Sequence, residues 1–81
     1  MRSATIEDLE ARLERGAWKT PAMLMDELTK ADLDPSRLNV HLYLAQGYRE
    51  RRLEREQMGE VEGFPTYAYR LSMKGAQLNL F

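Results

Sequence analysis

Two capped proline steps constrain the middle of this chain more than any other feature. Thr20-Pro21 and Asp34-Pro35 each place a capping side chain directly before a proline, which is a typical start of a helix. Leu24 and its neighbours then repeat at helical spacing. Because a joint of only three residues separates the first helix from the second cap, the pattern predicts a helix-turn-helix.

A further helix is predicted ahead of this pair, over residues 5–15. Thr5 can cap its N-terminus, and Asp8 stands three residues later as a variant of the capping box. Gly16 is a natural stop after it.

The helix that begins at Asp34-Pro35 has two possible ends. A glycine inside a helix costs about 1 kcal/mol relative to alanine, which favours an end at Gly47. Apolar residues keep a helical rhythm past this glycine, which favours an end near Arg51, and we prefer the longer helix. Its predicted inner face consists of Leu38, Leu42, Ala45 and Tyr48, with His41 near the centre as a core histidine.

A β-hairpin is predicted in the C-terminal third of the chain. Two extended segments, residues 53–58 and 64–72, flank a loop that is bracketed by Gly59 and Gly63. The loop carries two glutamates and no basic residue. The apolar C-terminal residues are expected to dock as a short helical turn.

Composition limits the class of protein. The 81 residues predict one domain spanning residues 1–81, and 43% apolar with 31% charged residues is typical of a globular chain. The chain has no cysteine, which excludes disulfides and thiolate metal sites. We expect a cytoplasmic protein without a membrane span, since no apolar run approaches the roughly 20 residues that a span requires. His41 is the only histidine, and with no recognisable catalytic arrangement we expect neither an enzyme nor a cofactor.

The block from Arg52 to Gly75 resembles the winged-helix domains of bacterial and phage regulators. The run YRLSMKG, residues 69–75, resembles the YxLTxKG run that closes the second wing strand in many of these proteins. The run RLER, residues 52–55, resembles the entry into the first wing strand. The resemblance implies an α+β winged helix, with a three-helix helix-turn-helix core, a β-hairpin wing and a short terminal helical turn. Two departures are Arg52, where a glycine is frequent, and an acidic tip, where DNA-reading wings are usually basic.

The resemblance also implies a function, since most winged helices bind double-stranded DNA with helix 3 in the major groove. We therefore expect a small, sequence-specific transcriptional regulator. The residues expected to read the groove are Ser36, Arg37, Asn39, Tyr43 and Gln46. Flanking contacts are expected from Lys19, Thr20, Arg55 and Arg70. The wing tip is predicted to stay out of the minor groove, because its glutamates repel phosphate.

Charge placement leaves an alternative open. Residues 1–34 carry five bases and eight acids, a net charge of −3, whereas residues 35–81 carry seven bases and five acids, a net charge of +2. The overall charge of −1 suits a winged helix that binds a protein partner instead of DNA. Surplus apolar residues near both termini indicate either a homodimer through helix 1 and the C-terminal tail or the closing of a small core.

Overall fold

The computed structural model describes residues 1–72, and the predicted terminal helical turn lies outside them. In chain order the elements are β1 (Arg2–Ser3), α1 (Ile6–Glu10), α2 (Pro21–Lys30), β2 (Leu33–Asp34), a 3-10 turn (Pro35–Arg37), α3 (Val40–Arg49), β3 (Leu53–Val61) and β4 (Phe64–Leu71). The short β1 and β2 pair in parallel, and β3 and β4 form an antiparallel hairpin.

The core lies between the three helices and continues under the base of the hairpin. Its fully buried side chains are Leu9, Leu24, Leu28, Val40 and Leu44. Leu53 of β3 and Tyr69 of β4 extend the same apolar cluster. Within residues 1–72, the hairpin is therefore anchored to the helices at its base.

The start of α1 is the predicted one, but the helix is shorter than expected. Thr5 and Asp8 form both halves of the capping box, with the Thr5 amide donating to the Asp8 carboxylate at 2.8 Å. The helix ends at Glu10 and not near residue 15, so that part of the prediction is wrong. The following chain makes hydrogen bonds with β4 instead, since the Leu71 amide donates to the Glu14 carbonyl at 2.9 Å.

The predicted start of α2 is confirmed, whereas that of α3 is wrong. Thr20 caps α2, and the Met23 amide donates to its hydroxyl at 3.2 Å. The Asp34-Pro35 step starts only the 3-10 turn, because the backbone at Leu38 is extended (φ −89°, ψ 130°). Asn39 then caps the true helix.

The longer of the two alternatives for the end of α3 is the better one, since the helix passes through Gly47 and ends at Arg49. A Cβ atom at position 47 would lie 2.6 Å from Leu53 Cδ1, well inside van der Waals contact. Glycine is thus required for the close approach of β3 to the helix.

The buried face of α3 is rotated from the predicted one. Val40, Leu44 and Gly47 face the core, whereas Leu42 is 48% exposed and Tyr48 is 40% exposed. His41 is also exposed, so the prediction of a core histidine is wrong, as are the core positions predicted for Leu42 and Tyr48. Leu38 packs against the core as predicted. Leu42 and Leu44 are two positions apart, so the sequence pattern allows either of them to face the core. The packing of the hairpin on α3 buries Leu44 and leaves Leu42 exposed.

The hairpin turn is tighter than the five-residue loop that the glycines predicted. Glu62 and Gly63 have φ values of 53° and 83°, which is the pattern of a two-residue type I′ turn. Met58 is the extra residue of a β-bulge, since Gln57 pairs with Tyr67 and the following pair begins at residue 59.

Candidate nucleic-acid interface

The solvent-facing side of α3 carries no acidic residue. Its side chains are His41, Leu42, Ala45, Gln46 and Arg49. The nearest acid along the chain is the C-cap residue Glu50, whose carboxylate forms an ion pair of 2.8 Å with Arg52. The face is therefore uncharged over most of its length and cationic at its C-terminal end.

Of the two central residues predicted to read DNA, Gln46 lies on this face and Tyr43 does not. The Tyr43 ring is half-buried, its hydroxyl donates to Glu10 at 2.8 Å, and it accepts from Arg52 at 3.2 Å. Burial and the bond to Glu10 raise the pKa of the Tyr43 phenol, so it stays neutral. Tyr43 thus joins α1 to α3, and its predicted place on the outer face is wrong.

The three other residues predicted on the face precede the helix. Ser36 and Arg37 are exposed in the 3-10 turn. The Asn39 side-chain oxygen accepts a hydrogen bond of 3.0 Å from the Leu42 amide, so it is already occupied by capping.

Lys19 has a structural role that its charge alone did not indicate. Its side chain is buried, and its ammonium donates to the Arg12 carbonyl at 2.6 Å and lies 2.9 Å and 3.0 Å from Glu27 and Glu14. Burial alone would lower the pKa of the Lys19 ammonium, but the two carboxylates outweigh it and the net shift is upward. Because this charge is enclosed by carboxylates, Lys19 is unavailable to phosphate.

A groove of about 400 Å³ lies between the start of α2, the first turn of α3 and β4. Its lining includes no acidic residue, lysine or arginine and consists of Thr20, Pro21, Ala22, Met25, His41, Pro65, Thr66, Tyr67 and Tyr69. Thr20 lines the groove and also caps α2.

Arg55 joins the hairpin to α3 through two aromatic rings. Its guanidinium carbon lies 4.0 Å from the centre of the Tyr48 ring and 4.2 Å from that of the Tyr67 ring. Such cation–π contacts each contribute about 0.5–1 kcal/mol at exposed sites. Arg55 was predicted as a flanking DNA contact, but its contacts with the two rings were not predicted, because Tyr48 was expected in the core.

Arg70 lies on the opposite face of the hairpin from Arg55. Arg55 is the cross-strand partner of Tyr69, and side chains alternate along a strand, so Arg70 faces away. Its guanidinium donates to Glu54 at 2.8 Å and stacks over Trp18 at 4.3 Å. The charge of Arg70 is therefore compensated by Glu54, and its side chain lies on a different face from Arg55.

Exposed arginines surround α3. Within residues 1–72, Arg37, Arg49 and Arg51 are exposed and have no carboxylate at ion-pair distance. The same part of the chain contains no group of side chains arranged to hold a metal ion. None of its helices is long and apolar enough to cross a membrane.

One solved structure supplies a comparison, an X-ray structure of a PadR-like transcription factor from Bacteroides fragilis. The similarity covers 90% of this chain and 71% of that chain, with a TM-score of 0.70 and 19% sequence identity. At this identity the comparison shows the fold, and it confirms the predicted α+β winged helix. No protein-family model matches the sequence, and no curated protein matches it.

Proposed function

We propose that this protein binds double-stranded DNA as a small transcriptional regulator, with α3 in the major groove. The fold supports the proposal, because winged helices use the third helix in this way. The structure with a similar fold is that of a transcription factor, which agrees with a role in DNA binding. A genomic target would place the protein in the cytoplasm of a bacterium.

The single observation that carries the proposal is the charge of the exposed face of α3. A chain with a net charge of −1 keeps acids off this face and leaves Arg37, Arg49 and Arg51 unpaired around it, within the described residues. Such a distribution lowers the electrostatic cost of approaching phosphate.

Base reading would come from the middle and end of the helix. Gln46 can pair with the adenine edge through two hydrogen bonds, and Arg49 can do so with guanine. Leu42, exposed one helical turn before Gln46, can contact a thymine methyl group. Arg37 and the Ala22 amide in the first turn of α2, next to Thr20, would bind phosphate.

Fluorescence anisotropy with a labelled mixed-sequence duplex, titrated over salt concentration, tests the proposal. We expect binding that weakens steeply with salt, since each phosphate contact releases counterions. Arg49→Ala should weaken binding about tenfold at low salt. The matched control is Arg15→Ala, an exposed arginine in the loop after α1. No binding at low salt, or equal losses in both variants, would contradict the proposal.

We further propose a homodimer through α1 and the C-terminal residues, of which the latter lie outside the described part of the chain. Ile6 of α1 is 47% exposed, and a second copy could cover it. Sedimentation velocity of the wild type and of Ile6→Ser checks this, and a wild type that stays monomeric at high concentration would exclude it.

An alternative function is a protein-interaction module, which the wing tip favours. Phe64 is 74% exposed and Val61 is 61% exposed, and they are cross-strand partners. Exposed apolar pairs of this kind occur at protein contacts. This function predicts no DNA binding at low salt.

A further inference from the structure

We propose that Arg55 binds a DNA phosphodiester at the base of the wing, so that the wing contacts the backbone with its base while its tip stays off DNA. The inference rests on the proposed function and assigns the wing's part in it.

The first support is the fixed position of the Arg55 guanidinium. The centres of the Tyr48 and Tyr67 rings lie 4.0 Å and 4.2 Å from its central carbon, so two aromatic rings hold the group. Ring stacking leaves the N–H edge of a guanidinium open, and this edge matches two phosphate oxygens. Because the side chain is already ordered, less rotamer entropy is lost when a phosphate binds.

The second support is that no carboxylate competes for this charge. Glu54 is paired with Arg70 at 2.8 Å, and Glu56 lies on the same outer face because side chains alternate along β3. Within residues 1–72, no acidic group lies at ion-pair distance from Arg55. Although Glu54 and Glu56 flank it in the sequence, Arg55 thus keeps an uncompensated charge on the inner face of the hairpin.

The third support is the place of the site next to α3. Tyr48 belongs to α3 and Tyr67 to β4, so Arg55 lies at the junction of the two elements. A helix in the major groove is bordered by phosphates, and a cation beside this helix lies in reach of that border.

The distal hairpin has the opposite character. Residues 56–69 contain three glutamates and no lysine or arginine. The turn at Glu62 is seven residues beyond Arg55, which is about 23 Å along a strand, or nearly three Debye lengths of about 8 Å at physiological salt. A charge at this tip is therefore screened from a phosphate that Arg55 holds.

The test measures duplex affinity against salt for three variants and the wild type. Arg55→Gln should lower the slope of log K against log salt by about 0.9, the value of one phosphate contact. Arg70→Gln is the matched control in the same hairpin, with an arginine that is already paired, and should leave the slope unchanged. A purely structural role of Arg55 would change stability in a thermal melt but would leave the slope unaltered.

The second arm tests the tip. The double variant Glu60→Lys and Glu62→Lys should change affinity less than about twofold at physiological salt and leave the slope unchanged. A slope that increases by one or more would place the tip at the backbone and overturn the inference. To separate DNA from free anions, inorganic phosphate at millimolar concentration is titrated against the Tyr48 and Tyr67 resonances. We expect saturation only with duplex, and saturation with phosphate alone would overturn the assignment to DNA.

The outcomes distinguish this inference from the proposed function. Wild-type binding with an unchanged slope in Arg55→Gln overturns the Arg55 site alone. A wild type that binds no duplex overturns both.

Discussion

The base and the tip of the hairpin are built from the same two strands but have opposite surroundings. At the base, Leu53 and Tyr69 are buried against the helices, and Arg55 contacts two aromatic rings. At the tip, Val61 and Phe64 are exposed, and among residues 1–72 the acidic residues of the turn have no basic partner at ion-pair distance. The base thus belongs to the folded core, whereas the tip is exposed and held by strand pairing.

This difference indicates that the two ends of one hairpin can have separate roles, with the base positioning a charge and the tip free to vary. Packing on α3 fixes the base, so a charge there can be positioned to within the tolerance of a hydrogen bond. The tip tolerates change, because few apolar contacts depend on it. Substitutions at the two ends should therefore differ in size and in kind.

The largest effect is expected from truncation at the base. Leu53→Ala removes a side chain that is 3% exposed, and we expect a loss of about 3 kcal/mol in the free energy of unfolding. Val61→Ala at the tip is the matched control, with an expected change within about 0.5 kcal/mol. Urea denaturation followed by circular dichroism measures both, and equal losses would break the comparison.

The contact between α3 and the base gives the next largest effect. Gly47→Val places side-chain atoms where Leu53 already lies, and we expect a loss of about 2 kcal/mol. Thermal melts measure the change. If the variant is as stable as the wild type, β3 does not approach the helix as closely as described.

A smaller effect is expected where the chain before α2 pairs with β4. The backbones of Lys19 and Tyr69 exchange two hydrogen bonds, and Lys19→Met removes the buried ammonium while keeping this backbone and most of the volume. We expect a loss of about 1 kcal/mol in the free energy of unfolding. The loss is small for a buried charge because one of its partners, Glu14, is largely exposed to solvent.

The pH dependence identifies this charge. The pKa of Lys19 is raised in the folded state, so its stabilising contribution is complete below the unfolded pKa of about 10.4 and disappears as pH rises through the folded pKa. The difference in stability between wild type and Lys19→Met should be constant at neutral pH and shrink above about pH 10.5. A difference that grows with alkaline pH would contradict the assigned ion pairs.

The smallest effect is expected at the tip. Phe64→Ser should change the free energy of unfolding by less than about 0.5 kcal/mol, because the ring is 74% exposed. Its effect on association is a separate readout of the alternative function, measured by sedimentation. A large loss of stability would mean that the tip packs against something that the described residues do not include.

Local signals in the sequence were sufficient for most of the architecture. Thr5 with Asp8 and Thr20 with Pro21 are complete within four residues, so they predicted the starts of α1 and α2 correctly. The alternation and the glycines of the hairpin predicted two strands, although not the type I′ turn. These features depend on neighbours along the chain.

The predictions were wrong where contacts between residues far apart in the sequence determine the local structure. Asp34-Pro35 carries the same local signal as Thr20-Pro21, but only a 3-10 turn follows it, and Asn39 starts the helix. The face of α3 depends on β3, which packs against Gly47 and leaves Leu42 outside.

The predictions of site residues were the least accurate, because they depend on which face of α3 is exposed. Gln46 was predicted on the exposed face from the sequence, whereas Arg49, which lies on the same face, was not among the predicted contacts. Lys19 and Arg70 were predicted from charge, and their carboxylate partners could not be identified without the fold.

The most direct test of the account is a titration of the ¹⁵N-labelled protein with a mixed-sequence duplex at low salt, followed by amide chemical shifts. We predict shifts along the exposed face of α3, at Thr20 and at Arg55, with none at Val61 or Phe64. Shifts confined to the wing tip and α1, or no shifts at all, would contradict the proposal that α3 and the base of the wing form the DNA-binding surface.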